Sequence, residues 1–492
     1  MKKLCKITLI LLSALLLASC GAEEVGKTIP AETPGETIPA EEIQEEVPLS
    51  AENILEEYRK ADIGDITIFT SNNVNASLFA RTAPEEDITG NLVNDALYER
   101  DRMLENYFQT KVTWQLANED GALIGIFQNE TVAGDNSFNF MIGPVRWAAV
   151  PAFNAGLCLE LSAVEDIDLS NPWWTQNVMD NFIYNDRYYM LIGEFSPRNV
   201  LSGNMLMFNL TEHANRGLPS LYDMVREGKW TYDAFNSIIK DIGTDINGDG
   251  NMDYNDDFYG LNCDSTAGLS FYFGMGQNLI SVQGDQFASG VNTEQGISVL
   301  ESIQTMFTTN DVNSDSYRRD TYAPNNSFMN NKALFNCMVV LDLSMFRDYE
   351  TDYGIVPLPK YDEAQSSYRS FANVSAMTAV VVPKSIPQET VQDTGLFIEA
   401  MTALSHYKSI PEAYEATLLS RETRDEDSVE MLRIISEGLM LDLGAVYNIG
   451  DLYFMVERCT VEGQPIVSSY QELENLVQAD CENLIALFGA EQ

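Results

Sequence analysis

Positive charge and histidine are scarce in this chain of 492 residues. It carries 29 Lys and Arg against 74 Asp and Glu, which gives a formal net charge of −45. A surface this acidic repels phosphate backbones and anionic lipid headgroups, so nucleic acid is excluded as a partner. The charge favours neutral or cationic ligands, although a local basic pocket can override that preference. Acidity also simply keeps an exported protein soluble.

The residues that most hydrolases use are missing. His213 and His406 are the only histidines, and their spacing does not suit zinc or a histidine-based triad, so surface or hydrogen-bonded core positions are expected for both. The sequence has no glycine-rich phosphate loop and no G-x-S-x-G motif. Two carboxylates could in principle form a glycosidase pair, but among 74 acidic residues any particular pair is explained by coincidence. The chain is therefore predicted not to be an enzyme.

Cysteine gives no disulfide framework. Five cysteines follow residue 20, an odd number with no C-x-x-C spacing, in a chain too long to need disulfides for stability. They are Cys158, Cys263, Cys337, Cys459 and Cys481. Buried free thiols are expected, with a disulfide between Cys459 and Cys481 as the alternative.

Long apolar runs are also lacking, except at the N-terminus. Residues 7–17 are almost entirely apolar, follow three lysines and precede Ala18, Ser19 and Cys20. A run this short cannot cross a bilayer core of about 30 Å as a helix, so it predicts a signal peptide over residues 1–19. The order of residues resembles a lipobox, which implies lipidation of Cys20 and anchoring on the outer, extracytoplasmic face of the cell membrane. A plain secretory signal is the alternative.

The next segment has the composition of a tether. Residues 21–50 contain eight glutamates, four prolines, one lysine and no aromatic residue. Low hydrophobicity and charge of one sign do not compensate the entropy lost on ordering, so residues 20–61 are predicted to be a disordered tether. A structured acidic arm is the alternative.

The remaining residues are too many for one core and suit two lobes. Strand patterns alternate with helical patterns along this part of the chain, which favours an α/β fold with largely parallel sheets. Strands are predicted at 65–71, 111–116, 139–142 and 378–382, and helices at 93–108, 235–242 and 473–488.

One loop has the spacing of a calcium site. Oxygen-bearing side chains stand at loop positions 1, 3, 5, 9 and 12, glycine stands at position 6, and position 7 offers a backbone carbonyl. These residues are Asp245, Asn247, Asp249, Asp253, Asp256, Gly250 and Asn251, in that order. The pattern is typical of EF-hand-type loops, so structural Ca²⁺ is predicted as a cofactor. Aspartate at position 12 implies weaker binding or some magnesium, Asp257 could close the loop in place of Asp256, and a solvated Asx-turn is the alternative.

Several motifs resemble those of extracellular solute-binding proteins of bacterial ABC importers, of the carbohydrate type. Gly228-Lys-Trp-Thr-Tyr-Asp-Ala-Phe235 precedes the calcium-type loop, and Phe258-Tyr-Gly-Leu261 follows it. Phe328-Met-Asn-Asn-Lys-Ala-Leu334 and Tyr353-Gly-Ile-Val-Pro-Leu-Pro359 come later in the order typical of that family. The match is specific to the superfamily and not to a ligand.

The resemblance implies a periplasmic-binding-protein-like fold with two α/β lobes, crossover hinge strands, and a cleft that closes on a ligand. The implied lobes are 62–195 with 371–405, and 196–370 with 406–492. A monomer is expected to deliver a mono- or oligosaccharide to the permease subunits of an ABC transporter. A peptide or cationic metabolite is the alternative cargo, and a surface glycan hydrolase or adhesin is the alternative from another class.

The resemblance also implies where ligand contacts lie, namely in loops that follow strands. The corresponding positions are Asn72, Asn73, Arg146, Trp147, Asp342, Arg369 and Phe371. Ordinary core packing is the alternative for Trp147. Trp230 is expected to be structural, at a helix start capped by Thr231, and either role is open for Trp173 and Trp174.

Overall fold

The computed structural model describes residues 48–489, except 72–81, 181, 254–255, 284–285, 310, 314–326, 347–349 and 414–425. Residues 49–492 form one compact unit. No helix in the described part of the chain is long and apolar enough to cross a membrane. The predicted signal peptide, Cys20 and the tether as far as residue 47 lie outside the described residues.

The strands form two main sheets and two small pairs. They are β1 (Ile66–Ser71), β2 (Val112–Ala117), β3 (Phe140–Pro144), β4 (Asn204–Asn209), β5 (Tyr259–Asn262), β6 (Ile280–Gln283), β7 (Gln286–Ser289), β8 (Val312–Asn313), β9 (Ala333–Val339), β10 (Tyr353–Val356), β11 (Ser370–Phe371), β12 (Thr378–Val381) and β13 (Leu439–Met440).

Helices separate most of these strands. They are α1 (Leu92–Phe108), α2 (Asp120–Ala133), α3 (Val150–Asn154), α4 (Gln176–Met179), α5 (Pro197–Val200), α6 (Leu210–Asn215), α7 (Leu221–Arg226), α8 (Tyr232–Ile239), α9 (Ala267–Gly274), α10 (Glu294–Phe307), α11 (Val391–Tyr407), α12 (Glu426–Glu437), α13 (Leu443–Val446), α14 (Leu452–Glu462) and α15 (Ile466–Gly489). Short 3₁₀ segments lie at Ile54–Glu57, Val340–Phe346, Gln388–Thr390 and Ile449–Asp451, and a π-helical turn at Val145–Ala149.

The first sheet has the order β12-β3-β1-β2. β1 runs parallel to β2 and β3, whereas β12 runs antiparallel to β3. Helices α1 and α11 pack against each other beside this sheet, and α2 contacts β1, β2 and β3. The four strands predicted from alternating or continuous apolar patterns are confirmed to within two residues. This sheet is the core of the first lobe.

The second sheet has the order β10-β4-β9-β5-β8. β5 is parallel to β8 and β9, but β4 is antiparallel to both β9 and β10. The expectation of largely parallel sheets was wrong in this respect, because each sheet contains a strand that arrives directly from the other lobe. β4 and β12 are those strands, and they run against their neighbours.

The lobes are joined by crossovers that hydrogen-bond to each other. The chain leaves the first sheet after β3 and enters the second at β4, then returns between β10 and β12. The Asn199 amide donates from Nδ2 to the carbonyls of Gly193 (2.8 Å) and Thr378 (3.0 Å) and accepts from the Thr378 N–H (2.8 Å). Both connections are therefore held at one point between the lobes.

The folded unit begins earlier than predicted. Residues 49–61 were assigned to the tether, but Ile54 and Leu55 are buried in the first lobe. The Tyr107 hydroxyl donates to the Tyr58 carbonyl at 2.6 Å, and Arg59 forms ion pairs with acids of the same lobe. The high acidic content of the segment obscured an apolar pair that reaches the core.

Candidate ligand-binding cleft

The carboxyl ends of the parallel strands define one edge of the first sheet. β1 ends at Ser71, whose hydroxyl is hydrogen-bonded to the Asp120 carboxylate at the start of α2. β3 leads directly into the π-helical turn that carries Arg146 and Trp147. Ligands of open α/β sheets bind outside these carboxyl ends, so this edge is the first wall of a candidate site.

Arg146 connects this wall to the second lobe through aromatic rings. Its guanidinium carbon lies 4.7 Å from the ring centroid of Tyr453, 4.9 Å from that of Phe454 and 5.3 Å from that of Trp147. Tyr453 and Phe454 belong to α14, which packs against α9 and α10 of the second lobe. Trp147 keeps 53% of its surface exposed. We call these four residues the aromatic cluster.

The second wall is acidic. Asp264 follows β5, Asp342 follows β9, and Glu457 lies one helical turn beyond Tyr453 on α14. Burial raises the pKa of Asp264, and the Glu457 carboxylate raises it further. Burial and then the charge of Asp264 raise the pKa of Asp342 to about 6. Carboxylates with this burial are ready acceptors for ligand hydroxyl groups.

A buried arginine lies at the crossover between the two lobes. Arg198, in α5, is 9% exposed. Burial lowers the pKa of its guanidinium, and the Asp120 carboxylate partly counteracts that effect. The Leu341 N–H donates to the Leu201 carbonyl at 2.9 Å, which fixes the segment before Asp342 against the end of α5. Arg198 and Asp342 are thus carried on joined segments.

Comparison with known proteins shows the fold. No protein-family model and no curated protein sequence matches the chain. Solved structures do: UspC of Mycobacterium tuberculosis is 12% identical with a TM-score of 0.56, covering 85% of this chain and 100% of that one. A cyclo/maltodextrin-binding protein with maltotetraose is 11% identical with a TM-score of 0.57, covering 86% and 97%. An ABC substrate-binding protein of Listeria monocytogenes with cycloalternan is 13% identical with a TM-score of 0.52, covering 86% and 99%.

This is the two-lobed periplasmic-binding-protein fold. At such low identity the likeness establishes the architecture and not a ligand. The prediction of an α/β fold with two lobes is confirmed.

Three residues of the predicted ligand set lie in loops that follow strands. Arg146 and Trp147 lie in the turn after β3 and Asp342 in the segment after β9, and Trp147 is not a core residue. Their contact with a ligand stays a prediction. Asn72 and Asn73 lie outside the described residues.

Of the two predicted contacts near the recrossing, Phe371 is corrected by the structure, whereas Arg369 stays a prediction. Arg369 Nη2 donates to Asn278 Oδ1 at 2.6 Å and lines a cavity of about 540 Å³ beside the short strands β11 and β13, which Asn177 and Asp180 of the first lobe also line. Phe371 is 2% exposed, and its ring stacks on Phe273 with centroids 4.5 Å apart. Proximity in sequence to the recrossing misled the prediction, because β11 presents Phe371 to the core of the second lobe.

Sequence reasoning missed other residues of the cleft. Asp264 carried a usable signal, because it directly follows a strand at the carboxyl edge of a sheet. Arg198 stands in the crossover itself, and nothing in its local sequence marks it. Tyr453 and Phe454 lie in an ordinary helix far along the chain, and only the packing of α14 brings them to Arg146.

The calcium-type loop has the curled backbone that its sequence predicts. Gly248 and Gly250 adopt left-handed φ values of 73° and 88°. The two oxygens of Asp245 accept from the N–H groups of Gly248 (2.7 Å) and Gly250 (2.8 Å). Asx-type bonds of this kind fit both the calcium loop and the solvated alternative. Within the described residues no group of three His, Cys, Asp or Glu side chains is already arranged around a metal position.

Asp257 supports this loop from the inside. Its carboxylate is fully buried and accepts from the N–H groups of Ile246 (2.8 Å) and Asp253 (2.7 Å). Because both oxygens of Asp257 are engaged with backbone, Asp256 is the better candidate for position 12. Asn247, Asp249, Asn251 and Asp253 complete an all-oxygen donor set that suits a hard cation.

The remaining predicted side chains are structural. Trp230 is buried and donates to the Pro357 carbonyl at 2.8 Å, as expected. Trp173 and Trp174 both donate to the Glu399 carboxylate at 2.9 Å, which settles their role as core residues.

The two histidines and the five described cysteines are also structural. His213 bonds the Pro219 carbonyl, and His406 bonds Glu194. All five described cysteines are buried free thiols, so the disulfide alternative was wrong.

Proposed function

We propose that this protein captures a carbohydrate in the cleft between its lobes and delivers it to an ABC import permease. The observation that carries the proposal is the aromatic cluster, in which rings of both lobes meet at the carboxyl edge of the first sheet. Solved proteins of the same fold include binders of maltotetraose and cycloalternan.

The chemistry of the walls supports a sugar. Exposed aromatic rings such as Trp147 offer faces for the C–H groups of a pyranose. Asp264 and Asp342 offer acceptors for its hydroxyl groups, and the raised pKa of Asp342 allows that carboxyl to donate as well. Closure of the lobes would remove these contacts from water and strengthen them.

Delivery requires that the ligand favour the closed arrangement that a permease recognises. A ligand shifts a two-state equilibrium only by its differential affinity for the two states. Contacts from Trp147 on one lobe and Asp264 on the other would supply that difference, because both are made together only when the lobes close.

The proposal includes two features outside the cleft. Lipidation at Cys20 would tether the protein to the outer face of the membrane, as the N-terminal sequence predicts. Calcium bound by Asp245, Asn247, Asp249, Asp253 and Asp256, with the carbonyl of Asn251, would hold the loop between α8 and β5. The ion would be structural, because none of these residues belongs to the cleft walls.

One observation favours a second cargo. The aromatic cluster already surrounds a guanidinium, and the opposite wall carries Asp264, Asp342 and Glu457. Aromatic rings and carboxylates together also suit a cationic metabolite.

Thermal unfolding of the purified protein against a panel of neutral saccharides, acidic saccharides, short peptides and amines tests the proposal. A ligand at a hundred times its dissociation constant adds about 2.7 kcal/mol to the free energy of unfolding. We expect stabilisation by one class of saccharide without turnover. Stabilisation by amines or peptides alone would transfer the function to the second cargo, and consumption of a saccharide would make the protein an enzyme.

A further inference from the structure

The guanidinium of Arg198 differs in its hydrogen bonds and ion pairs from that of Arg100, another deeply buried arginine. Arg100 is fully buried and well paired: its Nε and Nη2 bond the Asp101 carboxylate at 2.9 and 2.7 Å, and its Nη1 bonds the Phe195 carbonyl at 2.9 Å. Arg198 is 9% exposed, its Nε has no hydrogen-bond partner, and it forms no ion pair with any residue that the structure describes.

Burying a charged guanidinium without a partner lowers the stability of the folded protein. A buried charge is normally paired, and arginine cannot lose its proton at physiological pH. The nearest stabilising carboxylate, Asp120, acts only through space and is itself hydrogen-bonded to Ser71. A cation that has no partner among the described residues of a binding fold indicates that the partner is supplied by something that binds.

The backbone that carries Arg198 is held in place. Asn199, the next residue, is bonded to both crossovers. Ser196 Oγ lies 3.3 Å from Thr82 Oγ1, at the end of the segment that follows β1. The guanidinium is therefore carried on a fixed support, near enough to Asp120 at the carboxyl edge of the first sheet for that carboxylate to affect its pKa.

We infer that Arg198 receives a carboxylate of the ligand, so that the captured carbohydrate is an acidic saccharide such as a uronic acid. The planar fork of a guanidinium matches the two oxygens of a carboxylate, and such charge-assisted pairs are about twice as strong as neutral hydrogen bonds. This inference rests on the proposed function and names the ligand class of the same cleft.

The two walls would orient such a ligand. Its carboxylate would lie at Arg198, away from Asp264, Asp342 and Glu457, and its hydroxyl groups would face those acceptors. A phosphate ester carries more negative charge and would be repelled more strongly by the same three acids and by Asp120. The overall charge of −45 does not oppose this arrangement, because a local cation decides binding at short range.

Calorimetric titration of the full-length protein with matched ligands tests the inference. The pairs are galacturonate and glucuronate oligosaccharides, their neutral parents, and the corresponding sugar phosphates. We expect an acidic oligosaccharide to bind at least tenfold more tightly than its neutral parent, with an affinity that falls as salt is added. In Arg198→Met that preference should disappear.

The stability of the free protein provides a second readout. Because Arg198 is buried without a partner, Arg198→Met should leave the melting temperature unchanged or raise it. Arg100→Met is the matched control and should lower the melting temperature, since it removes the buried donors to Asp101 Oδ1 and to the Phe195 carbonyl. A melting temperature of Arg198→Met that falls as far as that of Arg100→Met would show a structural role and overturn the inference.

The outcomes separate the inference from the proposed function. Equal or tighter binding of a neutral saccharide, unaffected by Arg198→Met, would overturn the inference and leave the carbohydrate binder intact. A preference for sugar phosphates would replace carboxylate by phosphate as the ligand group. Binding of no saccharide, acidic or neutral, would overturn both.

Discussion

At the scale of single residues, environment and not residue type decides the role. Trp147 follows a strand at the cleft edge and is 53% exposed, whereas Trp230 is fully buried between α8 and the second sheet. Both are tryptophans beside a cationic residue in sequence, Arg146 and Lys229. Only their packing separates an exposed ring from a core ring.

Trp147→Ala should weaken ligand binding about tenfold without lowering the melting temperature of the free protein. The ring makes its stacking contact on the surface of the cleft, and aromatic contacts of this kind contribute about 0.5–1.5 kcal/mol. Titration and thermal melts of the variant measure both effects. Val132→Ala, at a 74% exposed position on α2, is the matched control and should change neither quantity. Unaltered affinity in Trp147→Ala would remove the ring from the site.

Glu399 should make the protein more stable in mild acid. Burial raises its pKa from 4.5 to about 7, although Asn171, Trp173 and Trp174 donate to it. Since the folded pKa is raised, the stabilising contribution is complete below about pH 4.5 and is lost as the pH rises to 7. The free energy of unfolding should fall by roughly 3 kcal/mol over that range from this group.

Denaturant unfolding between pH 4.5 and 7.5 measures this slope. Glu399→Gln should flatten it, because the amide does not titrate in this range. Asp442, whose pKa burial also raises to about 7, should leave a residual slope of the same sign. A slope identical in both proteins would contradict the assignment to Glu399.

At the scale of elements, a cap residue located the start of α8 more closely than the apolar spacing located its end. Thr231 was predicted to begin a helix, and its hydroxyl accepts from the Ala234 N–H at 3.3 Å as the N-cap of α8. The apolar spacing extended to Ile242, but the helix ends at Ile239. Asp241 adopts a left-handed φ of 60°, and Ile242 reaches the core from the loop instead.

Thr231→Ala should lower the free energy of unfolding by about 1 kcal/mol, since it removes an N-cap acceptor. Denaturant unfolding of the variant measures the change. Thr231→Ser keeps the hydroxyl and should lie close to the wild-type protein. If the two variants were equally destabilised, the lost methyl group and not the cap would be responsible.

Calcium should stabilise the loop between α8 and β5. At a hundred times its dissociation constant the ion would add about 2.7 kcal/mol, so chelation should lower the melting temperature. Asp249→Asn removes one charged ligand and should abolish this difference, whereas Asp135→Asn, at an exposed acid outside the loop, should preserve it. A melt that is insensitive to calcium would support the solvated Asx-turn alternative.

At the scale of the whole molecule, the proposed function depends on two lobes that share a cleft. The lobes are joined by crossovers that are hydrogen-bonded at Asn199, and they contact each other at several places, among them Arg146 against the rings of α14 and Phe153 against Phe488. A ligand that fills the cleft should favour the closed arrangement, because it binds both walls at once.

Small-angle scattering should show this closure as a smaller radius of gyration when ligand is saturating. Arg146→Ala should give a larger radius than the wild-type protein without ligand, since it removes cation–π contacts worth about 1–2 kcal/mol across the cleft. Arg59→Ala, which removes surface ion pairs within the first lobe, is the control and should not change the radius. A radius that ligand leaves unchanged would contradict delivery by closure.

The sequence by itself determined the fold class, the strands of the first sheet and the curled acidic loop. These depend on local alternation, on glycine at turns and on motif order, all of which are written in consecutive residues. It also placed Arg146, Trp147 and Asp342 in loops after strands, where this architecture binds ligands, and their role as ligand contacts stays a prediction.

Only the tertiary structure decided which side chains meet in the cleft and which are left without partners. Phe371 was expected at the site but packs on Phe273, whereas Tyr453 reaches the site from a helix near the chain end. The unpaired state of Arg198 is a property of everything that surrounds it and has no sequence signal. Burial and pairing are set by residues distant in the chain, so they emerge only when the lobes are assembled.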